Sequence, residues 1–514
     1  MRNTPLVLAI LDGFGCSKNG CETPLDLASM PFYRDVLNRY PHTTLAASGL
    51  AVGLPQNQDG NSEAGHMNIG AGRVVDSDSV IISKTIEDGS FFENPVLLAA
   101  AKNVKKQGSK LHLVGLLSGG QSAHAELEHL FALIMFYRLQ RVQEVFIHLF
   151  TDGRDSPPIS ALSYLDLLLA FLQPHENIAT IMGRFYAMDR KKEWSRTQKA
   201  YELLTQGKGI ASYDARSALL LAYSRGETDE YIYPTVILND EHRFEGVIDD
   251  HDSVVFFHLR SDRARQLTKP FVQKEFEQFG GFQRSIRPKD LCFVALTNFG
   301  PFLDHIMTAY VSPIISNPLP LALNALRQLY IAESEKYAHI TYFFNGGNTN
   351  SVAHEERVMI PSPDVSDYSS TPGMSVEKVH DVVIRGIKEK QFDFIALNIS
   401  SPDMIGHTGD MASAVRALEI VDKELKRLYD SVKKAHGTLI ITADHGNVEE
   451  MLDPVTRKKD TKHSSNPVPF ILLAEDLKHL KLKKGRLGNV APTILDILGL
   501  EKPREMTLDT LIID

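Results

Sequence analysis

The chain has 514 residues, of which 43% are hydrophobic and 23% charged, proportions that exclude a mainly disordered, collagenous or coiled-coil protein. Lys and Arg number 55 against 64 Asp and Glu, a formal charge of −9, which disfavours a protein that grips nucleic acid through its phosphates. At ~150 residues per domain the length corresponds to about three domain-sized units, or to fewer and larger ones.

The first apolar run, Leu6 to Leu11, is stopped by Asp12 and is too short for the apolar region of a signal peptide. Cys16, Cys21 and Cys292 are odd in number and lack Cys-x-x-Cys spacing, which argues against a disulfide framework or a thiolate zinc site and fits a reducing compartment. No stretch approaches the ~20 apolar residues of a membrane span, since Ala161 to Leu172 is broken by Ser163 and Asp166. A soluble, cytoplasmic protein is expected. Further runs follow at Leu111–Leu117, Val145–Phe150, Ser253–Phe257, Phe394–Asn398, Thr438–Thr442 and Val468–Leu473. Such runs, bounded by turns and spaced by amphipathic segments, predict buried parallel strands in an α/β architecture, with ligands gathering at their carboxyl ends. The segment Gly488 to Leu500, with Pro492 near its start and Gly499 near its end, predicts a short helix.

Three groups of residues carry chemistry. Asp59-Gly-Asn-Ser-Glu-Ala-Gly-His-Met-Asn-Ile-Gly-Ala-Gly-Arg73 holds four glycines and places Ser62 before a plausible first helical turn. Ser62 reads equally as a nucleophile and as a helix-capping serine; its surroundings are not the Gly-x-Ser-x-Gly elbow of a hydrolase. The middle of the chain supplies Arg154, Asp155, Arg184, Arg190, Arg260 and Arg263, side chains suited to a small substrate bearing phosphate and carboxylate. The third group is Asp403-Met-Ile-Gly-His407, with an acid and an imidazole at i, i+4, joined by Asp444-His445, His463 and Asp12. Ionised acids are seldom fully buried unless paired or bound to metal, so this set predicts a two-metal centre. Mixed oxygen and nitrogen ligands without thiolate suit Mn²⁺, Zn²⁺ or Mg²⁺. His124-Ala-Glu-Leu-Glu-His129 is neither a His-Glu-x-x-His helix nor a zinc-deaminase signature, and neither common nucleotide-binding glycine loop is present.

Taken together, the strings Leu11-Asp-Gly-Phe-Gly15, Gly60-Asn-Ser-Glu-Ala-Gly-His66, Thr151-Asp-Gly-Arg-Asp155, Gly183-Arg-Phe-Tyr-Ala-Met-Asp-Arg190, Ile331-Ala-Glu-Ser-Glu-Lys-Tyr-Ala-His339, Phe343-Phe-Asn-Gly-Gly347, Pro402-Asp-Met-Ile-Gly-His-Thr-Gly409 and Thr442-Ala-Asp-His-Gly-Asn447 resemble the cofactor-independent (2,3-bisphosphoglycerate-independent) phosphoglycerate mutases over nearly the whole chain. The resemblance implies an α/β protein: an alkaline-phosphatase-like metal domain, expected from residues 1–76 and 311–514, with a second α/β domain inserted at residues 77–310. It implies one Mn²⁺ held by Asp403, His407 and His463 and another by Asp12, Asp444, His445 and the Ser62 hydroxyl, with Zn²⁺, Co²⁺ or Mg²⁺ as substitutes and no 2,3-bisphosphoglycerate. It implies phosphoglycerate contacts from His124, Arg154, Asp155, Arg184, Arg190, Arg260, Arg263 and Lys336. The strips His258-Leu-Arg-Ser-Asp-Arg263 and Thr297-Asn-Phe-Gly300 depart from the Asn-Phe-Arg-Pro-Asp-Arg and Thr-x-Tyr-Asp strings common in similar enzymes, although both arginines remain.

The expected activity is interconversion of 3-phosphoglycerate and 2-phosphoglycerate by a monomer, through a phosphoserine on Ser62, with Lys336 offsetting phosphoryl charge and Asp155 shuttling a proton. A phosphatase or another phosphomutase on the same metal centre, and a catalytically inactive sensor of phosphorylated metabolites, are the competing readings.

Overall fold

A computed structural model describes residues 4–17, 23–119, 122–300, 303–312, 314–453 and 457–513. Cys21 lies outside the described residues, and Cys16 and Cys292 are free thiols. The chain forms two compact units, one from Met1–Ser77 with Pro313–Asp514 and one from Asp78–Ser312. No helix among the described residues is long and apolar enough to cross a membrane.

The first unit is built on an eight-stranded sheet in the order Glu355–Ile360, Gln328–Glu333, Phe394–Ile399, Leu6–Leu11, Thr438–Thr442, Val468–Leu473, His42–Ala46, Gly485–Arg486. Leu6–Leu11 is the keystone: six apolar residues, all buried, in parallel register with Phe394–Ile399 on one side and Thr438–Thr442 on the other. A strand covered on both faces needs an unbroken apolar run, which is why this segment is strand and not amphipathic helix. Truncating Leu8 or Leu397 in that core to alanine is a change of about 2–5 kcal/mol. The helix Met411–Lys434 covers the sheet with Ala414, Ala417, Leu418, Val421, Leu425 and Leu428, which recur at helical spacing, and is capped by Asp410, whose carboxylate accepts from Ser413 N at 3.0 Å.

One strand departs from the expected arrangement. Val468–Leu473 runs antiparallel to Thr438–Thr442. A parallel return needs a crossover, commonly a helix, and among the described residues no helix lies between these two strands. The apolar run records burial of the strand and carries no information on its direction.

The second unit has its own eight-stranded sheet, in the order Ile306–Thr308, Cys292–Ala295, Ser253–Phe256, Leu111–Leu117, Val145–Thr151, Glu176–Gly183, Thr235–Ile237, Ile210–Ser212. All pairs are parallel except Glu176–Gly183 with Thr235–Ile237. Across its middle runs a buried polar chain. His148 Nδ1 lies 2.9 Å from Thr180 Oγ1, His148 Nε2 lies 2.9 Å from His112 Nδ1, and His112 Nε2 lies 3.1 Å from Asp252 Oδ2. Asp252 also accepts from the backbone N–H of Lys110 and Asp249, which fixes its carboxylate as the acceptor end. The polarity is therefore set: Thr180 donates to His148, His148 to His112, and His112 to Asp252, with both imidazoles neutral. Burial holds both below their ordinary value, and His112 and Lys110 lower His148 further.

Unfolding frees these histidines to bind protons near pH 6.5, so acidification favours the unfolded chain. The thermal midpoint is expected to fall between pH 7 and pH 5, with a slope reaching about 1.4 kcal/mol per pH unit for each such histidine. Melts followed by circular dichroism check this; a midpoint unchanged across that interval contradicts the neutral chain.

Candidate active site

Ser62 is the first residue of the helix Ser62–Ala71, capped by Asn61, whose side-chain oxygen accepts from Ala64 N at 2.9 Å. The glycines around it serve close packing against neighbouring chain. A Cβ on Gly65 would lie 2.7 Å from Asp444 Cβ, one on Gly60 2.7 Å from His445 Cβ, and one on Gly70 1.8 Å from Phe344 O. The helix is thereby pressed onto the loop that carries Asp444 and His445.

The parallel strands of the first unit end side by side, and their following residues converge. Ser62 Oγ lies 2.9 Å from His445 Nε2 and 3.2 Å from Asp12 Oδ1, and Lys336 Nζ donates to it at 2.9 Å. The same ammonium reaches Asp12 Oδ1 at 2.6 Å and Asp403 Oδ2 at 2.5 Å. Asp12 also accepts from Asn398 Nδ2 at 2.6 Å, Asp403 from Asn447 Nδ2 at 2.7 Å, and Asp444 from Gly13 N at 3.2 Å. His407 Nε2 and His463 Nε2 each lie 3.4 Å from Asp403 Oδ1 and 3.1 Å from each other.

Three imidazoles are aimed in the same way. His407 Nδ1 faces Thr461 O at 2.9 Å, His463 Nδ1 faces Gly60 O at 2.8 Å, and His445 Nδ1 faces Gly446 O at 3.2 Å. A carbonyl can only accept, so each Nδ1 carries a proton and each ring turns its Nε2 toward the cluster, the arrangement of a metal-ligating histidine.

The charge balance points the same way. Asp12, Asp403 and Asp444 are buried with Lys336 among them. Burial pushes the Asp12 carboxyl up, but the Lys336 ammonium and the His445 hydrogen bond outweigh it and hold it far below the carboxylate range. Burial likewise pushes the Lys336 ammonium down, and Asp12 and Asp403 more than reverse that. His445 is lowered by burial, yet the neighbouring Asp444 and Asp12 carboxylates carry it up to about 10. The cluster thus draws positive charge to itself, in protons where no stronger cation is present. Asp444 Oδ2 accepts no hydrogen bond and lies 3.6 Å from His445 Nε2, a buried acceptor left within the cluster. Two sets of donor atoms lie within 4.8 Å of one another: Asp403, His445 and His463, and Asp12, His66 and Asp444. These residues fit divalent cations.

His445 stands between the two sets, 3.5 Å from Asp12 Oδ1 and 3.6 Å from Asp444 Oδ2. His66 was not anticipated. Its Nδ1 lies 2.9 Å from Ser62 O and 3.2 Å from Asp444 Oδ2, while its Nε2 faces Asn398 Nδ2 at 3.1 Å. With both nitrogens partnered it orients its neighbours. The signal for it was present in the i, i+4 spacing of Ser62 and His66, the same spacing that singles out Asp403 and His407.

The second unit gathers its own polar cluster at the carboxyl ends of its strands. Arg184 Nη1 bridges Asp152 Oδ1 at 2.5 Å and Asp155 Oδ2 at 2.8 Å. Asp152 accepts in addition from Ser118 Oγ and from the backbone N–H of Arg154 and Asp155, which braces the loop. His124 Nε2 lies 3.6 Å from Asp155 Oδ2. Burial, then the charges of Arg184, Arg260, Arg263 and Arg190, push His124 down to about 2 and favour its neutral form. Arg190 and Arg260 share Asp262, at 2.8 Å and 3.4 Å, and Arg263 donates to Met188 O at 3.1 Å. Burial and then Arg190 and Arg184 lower the Arg263 guanidinium, the mark of cations crowded beyond what the local carboxylates offset. Arg154 stands apart at the rim, more than half exposed, 4.0 Å from Glu230. Asp152 stands in the acid-bearing stretch that follows the Val145–Phe150 run, whereas Asp262 was passed over in the sequence, where a carboxylate that braces an arginine looks like any surface acid.

Comparison with known proteins agrees across the chain. Residues 82–301 match the family model of the BPG-independent PGAM N-terminus, and residues 315–485 match that of type I phosphodiesterase / nucleotide pyrophosphatase. The 2,3-bisphosphoglycerate-independent phosphoglycerate mutase of Moorella thermoacetica is 44% identical over 515 residues, covering 99% of each chain. Mutase 2 of Methanosarcina acetivorans is 45% identical over 518 residues, covering 99% of this chain and 98% of its own. The crystal structure of Leishmania mexicana phosphoglycerate mutase at low cobalt concentration is similar at a TM-score of 0.77 and 27% identity, over 100% of this chain and 98% of that one. The chain, an α/β protein with a phosphodiesterase-type unit, belongs to the 2,3-bisphosphoglycerate-independent phosphoglycerate mutases.

Proposed function

We propose that this protein interconverts 3-phosphoglycerate and 2-phosphoglycerate by passing the phosphoryl group through Ser62, as a cytoplasmic monomer that needs no 2,3-bisphosphoglycerate. The observation that carries the reading is Ser62 Oγ, buried at a helix start within hydrogen-bond reach of Asp12, His445 and Lys336. A hydroxyl so placed is a nucleophile whose negative charge on reaction is already provided for.

The unit of residues 1–77 and 313–514 performs the transfer in this reading, and residues 78–312 hold the glycerate. Asp403, His407 and His463 would hold one divalent ion, and Asp12, Asp444, His445 and the Ser62 hydroxyl a second, with Mn²⁺ favoured and Zn²⁺, Co²⁺ or Mg²⁺ compatible with the donors. When bound, such ions lower the pKa of a hydroxyl and neutralise a phosphoryl group. Ser62 Oγ forms the new bond to phosphorus as the bond to the glycerate oxygen breaks, and Lys336 offsets charge on the phosphoryl oxygens. The glycerate oxygen takes a proton from Asp155 as it leaves, and Asp155 takes the proton of the other hydroxyl when the phosphoryl group returns. His124, whose neutral form burial and the nearby arginines favour, orients those hydroxyls without adding charge. Arg184, Arg190, Arg260 and Arg263 hold the carboxylate while the glycerate turns, and Arg154 contacts it from the rim.

Ser62→Ala is expected to lower kcat by at least about 10⁴-fold, and the native enzyme supplied with 3-phosphoglycerate should yield 2-phosphoglycerate with little free phosphate. Phosphate as the main product would make the protein a phosphatase. Asp155→Asn should cost about 10²–10⁴-fold in kcat with KM changed far less, measured by a coupled enolase assay; equal loss in both parameters would move Asp155 from proton transfer to binding. Chelation should abolish activity and Mn²⁺ restore it. Because the His445 proton must leave for a metal to bind, and its pKa is about 10, Mn²⁺ affinity of the stripped protein should rise about tenfold per pH unit between pH 6 and 8. Calorimetry in buffers of different ionisation heat would detect the released proton, and a pH-independent affinity would speak against His445 as a ligand.

A further inference from the structure

Glu449 has no part in the scheme above, yet it bonds the chain segments that bring Asp12, Asp444, His445 and His463 to the site. It lies in the loop that follows Thr438–Thr442 and is 2% exposed. Its Oε2 accepts from Gly15 N and from Asn447 N, both at 2.8 Å. Its Oε1 accepts from Asn466 Nδ2 at 3.0 Å and from Ser464 Oγ. Gly15 follows Asp12 on the loop after Leu6–Leu11; Asn447 follows Asp444 and His445; Ser464 is the residue after His463. One carboxylate therefore ties the loop after Leu6–Leu11 to both ends of the loop between Thr438–Thr442 and Val468–Leu473. Backbone bonds run alongside it, from Val448 N to Gly13 O at 3.0 Å and from Ser464 N to Gly446 O at 2.9 Å.

The glycines of two motifs are shaped to this carboxylate. A Cβ on Gly15 would lie 2.4 Å from Glu449 Cδ, and one on Gly446 would lie 2.3 Å from Glu449 Oε1. Neither glycine adopts a positive φ, so space and not backbone conformation forbids a side chain there. The second glycine of Leu11-Asp-Gly-Phe-Gly15 and the glycine of Asp444-His-Gly446 thus share one cause.

We infer that Glu449 is a positioning residue of the metal centre: its carboxylate sets the spacing of the loops that bear Asp12, Asp444, His445 and His463. The inference rests on the metal-dependent reading given under Proposed function. Partners one shell out from a metal typically alter its affinity or the activity 10–100-fold when changed, because they fix the direction of the ligand lone pairs. Four donors on one carboxylate leave no freedom for these loops to drift, and each bond to an ionised acceptor is among the stronger hydrogen bonds a protein makes.

The test is calorimetric titration of Mn²⁺ into metal-stripped, full-length protein, comparing wild type with Glu449→Gln and Gly15→Ala. The first removes the charge and turns an amide N–H toward the donors; the second keeps the charge and displaces the carboxylate. Both are expected to bind Mn²⁺ about 10–100-fold more weakly with unchanged far-ultraviolet circular dichroism, and kcat should recover at saturating Mn²⁺. Glu449→Asp, with the charge kept and drawn back by one methylene, should fall between them and wild type. Should Glu449→Gln fail to fold, Gly15→Ala and Glu449→Asp carry the same comparison. Mn²⁺ affinity within twofold of wild type in a folded variant whose metal-free melting temperature has dropped would show a purely structural role and overturn the inference. Wild-type protein that binds no Mn²⁺ would instead overturn the metal-dependent reading itself.

Discussion

Three carboxylates, Asp12, Asp403 and Asp444, are removed from water at the carboxyl edge of one sheet, with the Lys336 ammonium placed among them. Taking an ion out of water costs several kcal/mol even after the protein relaxes, and a partner of opposite charge recovers it only where geometry is close. Everything around the cluster answers that cost. Lys336 bridges two of the acids and Ser62, Asn398 and Asn447 donate to the acids' free oxygens, and the backbone N–H of Gly13 donates to the third. The surplus of negative charge raises the affinity of His445 for a proton and makes the place a receptor for cations. A site with this imbalance holds a nucleophilic hydroxyl and whatever negative charge a phosphoryl group brings to it only with added positive charge.

The architecture explains how such distant residues meet. Parallel strands bring their carboxyl ends to one edge, so Asp12, Lys336, Asp403 and Asp444 each follow a different strand by a few residues. The second unit repeats the device with opposite emphasis: Asp155, Arg184 and Arg260 follow the strands Val145–Thr151, Glu176–Gly183 and Ser253–Phe256. There the cations outnumber the acids close to them, and burial together with that crowding lowers both the Arg263 guanidinium and His124. One unit accumulates acids and histidines suited to cations, the other guanidinium groups suited to anions.

Much of this was legible along the chain. The six-residue run Leu6–Leu11 announced a buried strand, and Asp12 at its end announced chemistry, because an acid directly after an apolar strand has few other uses. Asp403, His407, Asp444, His445 and His463 stood out by residue type and spacing, while Ser62 read equally as a nucleophile and as a helix cap. The direction of Val468–Leu473 was not legible, since an apolar run looks the same in either direction. Nor were His66, Asn398 and Glu449. Each acts by a hydrogen bond to a residue remote in sequence, and such a bond leaves no periodicity or composition behind. The glycines of the Ser62 motif were visible but ambiguous: a glycine that admits a ligand and one that admits a neighbouring loop are the same letter.

By itself, then, the order of residues determined the α/β class, the strand ends that carry acids and imidazoles, and the family, because those depend on local burial patterns and on the identity of side chains. Tertiary structure alone decided that Lys336 lies against Ser62, that each histidine turns its Nε2 inward, and that one carboxylate at Glu449 joins the loop after Leu6–Leu11 to the loop that bears Asp444 and His463. Those are matters of distance and direction between atoms, several of them hundreds of residues apart in the chain, and they exist only once the backbone has closed around them.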